Sequence, residues 1–162
     1  MGCDIHAYIE YKRTGDTRWS PFGGRINPGR NYQLFGLLAD LRECGPPVYA
    51  LRGMPSDAAW HSENDNELFI CETETEAESF TTLERAKQWV ESGSSRYTKG
   101  KKFVTHPDWH SHSWLTTAEY REVLNAYQAK DSWPIPEYDA VLAAMERLDT
   151  YGTARLVFWF DN

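Results

Sequence analysis

The sequence predicts an α+β domain: a mainly antiparallel sheet that includes the first and last strands, with about four helices packed mostly on one face. Three observations carry this. Residues 2–11 alternate strictly, with Cys3, Ile5, Ala7, Ile9 and Tyr11 set against Asp4, His6, Tyr8 and Glu10. Residues 154–160 alternate again, Leu156, Phe158 and Phe160 against Arg155, Val157 and Trp159. Between them, four segments repeat apolar residues at helical spacing, and strands and helices do not interleave as they do in parallel sheets. The two end strands are candidates to be neighbours near the sheet centre.

The elements follow in order. Thr14-Gly15-Asp16 is a turn, and Thr17–Phe22 is the expected return strand of a hairpin. Residues 23–29 are a loop by composition, without phosphate-loop spacing. Leu34, Leu37, Leu38 and Leu41 stripe a helix from Tyr32 to Arg42, capped by Asn31 and stopped before Gly45-Pro46-Pro47. Val48–Leu51 is a short extended piece, and Ser56 is a cap for a short helix through Trp60. Ser62–Glu67 is a polar, solvated segment, Leu68–Cys71 a strand and Glu72–Glu78 an acidic run. Thr81-Thr82-Leu83-Glu84 and Thr116-Thr117-Ala118-Glu119 are capping boxes, each opening an amphipathic helix. Ser94–Lys102 is a basic loop or hairpin tip. Tyr138, Val141, Leu142, Met145 and Leu148 mark the last helix, which Gly152 closes.

At 162 residues the chain suits a single domain, with an insertion expected at about 61–105. Its net charge of −7 argues against an extended nucleic-acid surface, because phosphate contacts dominate that affinity. No apolar run approaches the ~18 residues of a membrane span. Met1 leads directly into a strand and His6 stands where a myristoylation signal needs Ser or Thr, so neither a signal peptide nor a lipid anchor is expected. Three widely spaced cysteines, Cys3, Cys44 and Cys71, fit free thiols in a cytoplasmic protein.

The polar face of the first strand is the candidate site. Asp4, His6, Tyr8 and Glu10 place carboxylate, imidazole and phenol groups on rigid structure, with Glu10 expected to meet solvent. Asp108-x-His110-x-His112 repeats the pairing if that segment is extended. Side chains at i and i+2 converge on one ion at about 2.0–2.2 Å, and mixed oxygen and nitrogen ligands suit a divalent metal such as Zn or Mn. The expected ligands are Asp4, His6 and His110, with Asp161 added if the last strand lies beside the first. Catalytic roles fall to His110, to Asp108 as its orienting group and to Tyr8. Arg25, Arg30, Arg52 and Arg155 offer forked guanidinium groups for phosphate, and Trp109, Trp114 and Trp159 offer faces for a nucleobase. A metal-free arrangement with His110 as general base and Cys3 as nucleophile is disfavoured, because Cys3 points to the opposite strand face.

An early Asp-x-His with a late His-x-His resembles the metallophosphoesterases in chemistry. Their Gly-Asp and Gly-Asn-His motifs are absent, so the likeness implies metal-assisted phosphate-ester hydrolysis without common descent.

GCDIH at the start, RNYQLFGLLADLR over 30–42, RGMPSD over 52–57, HSHSWLT over 110–116 and the closing FWFDN form a specific combination. In these segments the chain is similar to a group of uncharacterised bacteriophage and bacterial proteins that begin Met-Gly-Cys-Asp-Ile-His and carry a later His-Ser-x-Ser-Trp-Leu. Residues 61–105 contain no matching segment. The resemblance implies a phage or bacterial source, hence a bacterial cytoplasm, and sets His110, Ser111, Ser113 and Trp114 in the motif with His112 at its variable position. The expected substrate-binding residues are then Arg30, Asn31, Arg52, Ser111, Ser113 and Trp114.

Three functions are compatible with these residues. The first is a metal-dependent phosphodiesterase acting on a nucleotide-like small molecule, such as a cyclic nucleotide defence signal; the context is an analogy to phage immune evasion. The second is a binding protein that sequesters such a signal without turnover. The third is a protein–protein interaction module in which the Asp–His cluster is structural.

Overall fold

The computed structural model describes residues 2–43, 45–73, 78–130 and 133–161. Cys44, residues 74–77 of the acidic run and Asn162 of the closing motif lie outside them. The chain forms two compact units, Met1–Ala59 with His110–Asn162, and Trp60–Trp109.

The first unit carries a four-stranded sheet in which every pairing is antiparallel. Its strands are β1 (Ile5–Arg13), β2 (Ser20–Ile26), β7 (His110–Thr116) and β8 (Gly152–Phe160), in the order β2-β1-β8-β7. The first and last strands are thus the central pair, in unbroken register from Ile5 opposite Phe160 to Arg13 opposite Gly152. Alternation sends Ile5, Ala7, Ile9, Leu156, Phe158 and Phe160 to one face. There they pack with residues of α1 (Tyr32–Ala39), α4 (Thr117–Gln128) and α5 (Pro136–Asp149). Burial of each large side chain in this layer contributes about 1.5–3 kcal/mol.

Local chemistry explains where the elements begin and end. Asn31 caps α1 by accepting the Leu34 N–H, and the helix stops at Asp40 in the left-handed conformation (φ 54°), ahead of the expected end at Arg42. The capping box at Thr116 and Glu119 opens α4 as predicted. β2 runs through residues expected to form a loop. As an edge strand it tolerates Pro21, and Gly23 (φ +72°) permits the irregularity between Phe22 opposite Ile9 and Ile26 opposite Ala7. Val48–Leu51 forms no strand, and no helix starts at Ser56.

The second unit holds α2 (Trp60–Asp65), β3 (Glu67–Cys71), β4 (Phe80–Thr82), α3 (Leu83–Glu91), β5 (Tyr97–Thr98) and β6 (Phe103–Thr105). Its sheet order is β4-β3-β6-β5, with β3 and β4 parallel. Leu68 and Val104 bury against Ala86 of α3. Residues 62–65, expected to be solvated coil, belong to α2, and the cap of α3 is Thr82, one residue later than predicted. Among the described residues, no helix is long and apolar enough to cross a membrane.

Candidate functional site

At the junction of β1 and the end of β8, the Asp161 carboxylate serves two groups of the N-terminal strand. It accepts the Asp4 N–H at 2.8 Å and lies 2.8 Å from His6 Nε2. Arg25 Nη1 donates to His6 Nδ1 at 3.1 Å. A guanidinium can only donate, so Nδ1 is an acceptor; Nε2 carries the hydrogen and donates to Asp161. The neighbouring Ile26 pairs with Ala7, so alternation turns Arg25 to the His6 face.

Arg30 completes this end of the sheet. Its Nε and Nη2 donate to the two oxygens of Asp4 at 2.5 and 2.8 Å. This fork holds the Asp4 carboxyl below the usual carboxylate range and raises the Arg30 guanidinium. A Cβ at position 2 would stand 2.4 Å from Arg30 Nη1, which accounts for Gly2. Arg30 keeps 51 % of its side chain exposed, and Arg25 is exposed as well. Asn31, expected to touch substrate, is spent as the α1 cap and donates from Nδ2 to Tyr127 Oη at 2.8 Å.

A second polar cluster is buried on the same sheet face. Glu10 is fully buried, contrary to the solvent contact expected of it. Its oxygens accept from Ala59 N–H at 2.8 Å and from Arg155 Nε at 2.8 Å. Arg155 also donates to Asp57 at 2.8 Å and lies over the Trp19 ring at 3.9 Å. The guanidinium is therefore spoken for within the fold, and its expected phosphate contact is corrected to a structural one. Glu10 and Arg155 stand in register on the two central strands. Opposite charges on the polar faces of two strands predicted to be neighbours were the available signal.

On β7 a bulge overturns the expected alternation. His110 pairs with Phe160 and Ser113 with Phe158, leaving one extra residue, and Ser111 sits at φ 54°. His110 is thereby placed on the Phe160 face, stacked on that ring, whereas His6 stacks on Trp159 on the opposite face. His112, at the variable position of the motif, is the one that shares the His6 face, stacking on Trp159 as well. Ser111 Oγ lies 2.9 Å from His110 Nδ1, and His110 Nε2 is buried with no hydrogen-bond partner among the described residues. Asp108 is exposed, in a turn of the second unit, and its N–H donates to His106 Nδ1. The set Asp4, His6 and His110 does not converge. Among the described residues, no group of three His, Cys, Asp or Glu is placed to hold a metal ion.

The other expected binding residues anchor a loop. Arg52 N–H donates to Ser113 Oγ, and its guanidinium forks onto Glu119 and covers the Trp114 ring at 4.5 Å. Tyr8 is buried beside Trp159, which is itself fully buried, and Trp109 stacks on His106. Trp159 is thus closed to a base, while Trp114 and Trp109 are half-buried, with Arg52 over Trp114 and His106 over Trp109. Cys3 is in the core, where burial pushes its thiol up and away from the nucleophilic thiolate.

No family model, no curated protein and no solved structure matches the chain.

Proposed function

We propose that the chain binds a small phosphate-bearing, nucleotide-like molecule without turnover, at the end of the sheet where Arg25 and Arg30 stand. The observation that carries this reading is the pairing of two exposed guanidinium groups with fixed anchors, Arg30 on Asp4 and Arg25 on His6. Guanidinium groups held in place by one edge keep their remaining N–H donors for phosphate at a low entropic cost. Tyr32, two residues beyond Arg30, is 37 % exposed and supplies an aromatic surface for a base. Binding is favoured over hydrolysis because both ring nitrogens of His6 already have partners. Sequestration of a nucleotide-derived defence signal is the corresponding biological role, by analogy of context.

A hydrolytic role has one observation in its favour, the Asp161–His6 pair, since an aspartate can orient an imidazole as general base. That role requires Arg25 to leave Nδ1 when substrate arrives.

Calorimetric titration with a cyclic dinucleotide, ADP-ribose and inorganic phosphate tests the binding site. Arg25→Ala and Arg30→Ala are each expected to weaken nucleotide binding by about tenfold or more. Tyr32→Ala is expected to weaken the nucleotides and spare inorganic phosphate. Affinity unchanged in both arginine variants would place any binding elsewhere and sink the proposal.

A further inference from the structure

Past α1 the backbone bends through two left-handed residues, Asp40 (φ 54°) and Arg42 (φ 60°, ψ 30°). Aspartate tolerates this region, because its short side chain can bond locally; a long cationic side chain gains nothing of the kind. Glycine or asparagine would hold the same backbone at Arg42 with less strain. An arginine in such a place is accounted for by what its side chain does, and backbone strain of this sort gathers at ligand sites.

The bend brings the Arg42 guanidinium over the ring of Tyr32, the first residue of α1, 5.3 Å from its centroid. Arg42 is exposed, and the Tyr32 ring is steadied by an edge-on contact with Phe35 at 5.8 Å. Two electrostatic relationships set Arg42 at the end of the sheet that holds Arg30. The Cys3 thiol, pushed up first by burial and then by Asp161, is drawn back by both Arg42 and Arg30. The Tyr32 phenol adds to the raising of the Arg30 guanidinium, behind the larger effect of Asp4. Arg30 and Arg42 are thus neighbours of one aromatic ring. A guanidinium stacked on a ring uses its flat surface and keeps its in-plane N–H donors for an anion.

We propose that Arg42 is a further ligand-binding residue and that the ligand carries two phosphate groups, one at Arg25 and Arg30 and the second at Arg42, with a base against Tyr32. The inference rests on the nucleotide site argued above for Arg25 and Arg30. Those two guanidinium groups have donors committed to Asp4 and His6, and what they have left serves one phosphate. Cyclic dinucleotides and pyrophosphate-linked nucleotides engage all three arginines; a mononucleotide leaves Arg42 unused.

Calorimetric titration of the full chain with a cyclic dinucleotide, ADP-ribose and AMP tests this. Arg42→Gln is expected to weaken the cyclic dinucleotide and ADP-ribose by about tenfold, and AMP by less than about twofold. Arg42→Gly, which relieves the left-handed strain, is expected to show the same loss with a melting temperature no lower than the parent's. Equal losses for all three ligands would mean that Arg42 only positions Tyr32, and would overturn the proposal. Binding by the parent that is unchanged in both Arg42 variants would overturn it while leaving the site at Arg25 and Arg30 intact. A parent protein that binds none of the three ligands would remove that site, and this inference with it.

Discussion

His6 and Asp161, separated by nearly the whole chain, meet at 2.8 Å because β1 and β8 are the central strands of one sheet. Arg25 on the other ring nitrogen fixes the imidazole as an Nε2–H tautomer. Nitrogen-15 correlation spectra of the histidine rings are therefore expected to show a protonated Nε2 and an acceptor Nδ1 for neutral His6. Arg25→Ala is expected to change the Nδ1 environment and leave the Asp161 contact in place. An Nδ1–H tautomer in the parent protein would contradict the geometry.

Gly2 owes its identity to the guanidinium above it. Gly2→Ala sets a Cβ 2.4 Å from Arg30 Nη1. Arg30 is a flexible side chain and can move aside, so thermal stability is expected to change little. Ligand affinity is expected to fall by about tenfold, equal to about 1.4 kcal/mol. Paired melting and titration experiments separate the two effects, and an unchanged affinity would remove Arg30 from the site.

The Glu10–Arg155 pair is expected to matter for folding alone. Both side chains are nearly inaccessible and each holds the other's charge. Removing Arg155 leaves the buried Glu10 charge without its counter-charge, at a cost of about 3–5 kcal/mol, whereas removing Glu10 leaves Arg155 paired with Asp57 and costs less. Arg155→Met and Glu10→Gln should show this order in denaturant unfolding, and changing both together should cost less than the sum. Additive losses would mean the pair is not a unit.

Acid should weaken the fold partly through Glu119. Hydrogen bonding to Arg52, and to Thr116 at the helix start, holds its carboxyl down at about 2, against an ordinary 4.5. A depressed carboxyl stabilises the folded state fully above its ordinary value, and the contribution is lost as pH falls from about 4.5 toward 2. Glu119→Gln is expected to flatten the denaturation midpoint across that window. An undiminished slope in the variant would assign the acid sensitivity to other groups.

The fold was legible where patterning was strong. The alternation of residues 2–11 and 154–160 placed both strands together, and the Thr116–Glu119 box opened its helix where the spacing required. The site was legible in part. Asp4, His6 and Arg30 could be named, and Asp161 followed once the two strands were neighbours. His110 could not be placed, because one extra residue on β7 exchanges the two faces and its cause, Ser111 at positive φ, has no sequence signature of the glycine kind. Asn31, Arg52 and Ser113, expected to bind substrate, take partners within the fold for a related reason. Residues that cap helices and pin loops are the same polar types that bind ligands, and only their partners distinguish them.

Recovery of the ligand after binding tests the central claim most directly. The purified protein is incubated with a cyclic dinucleotide, freed of unbound material, denatured by heat, and the released nucleotide is identified by chromatography. Intact dinucleotide from the parent protein, and none from Arg25→Ala or Arg30→Ala, is the predicted result. Release of a hydrolysed product from the parent, lost in His6→Ala or Asp161→Asn, would contradict binding without turnover.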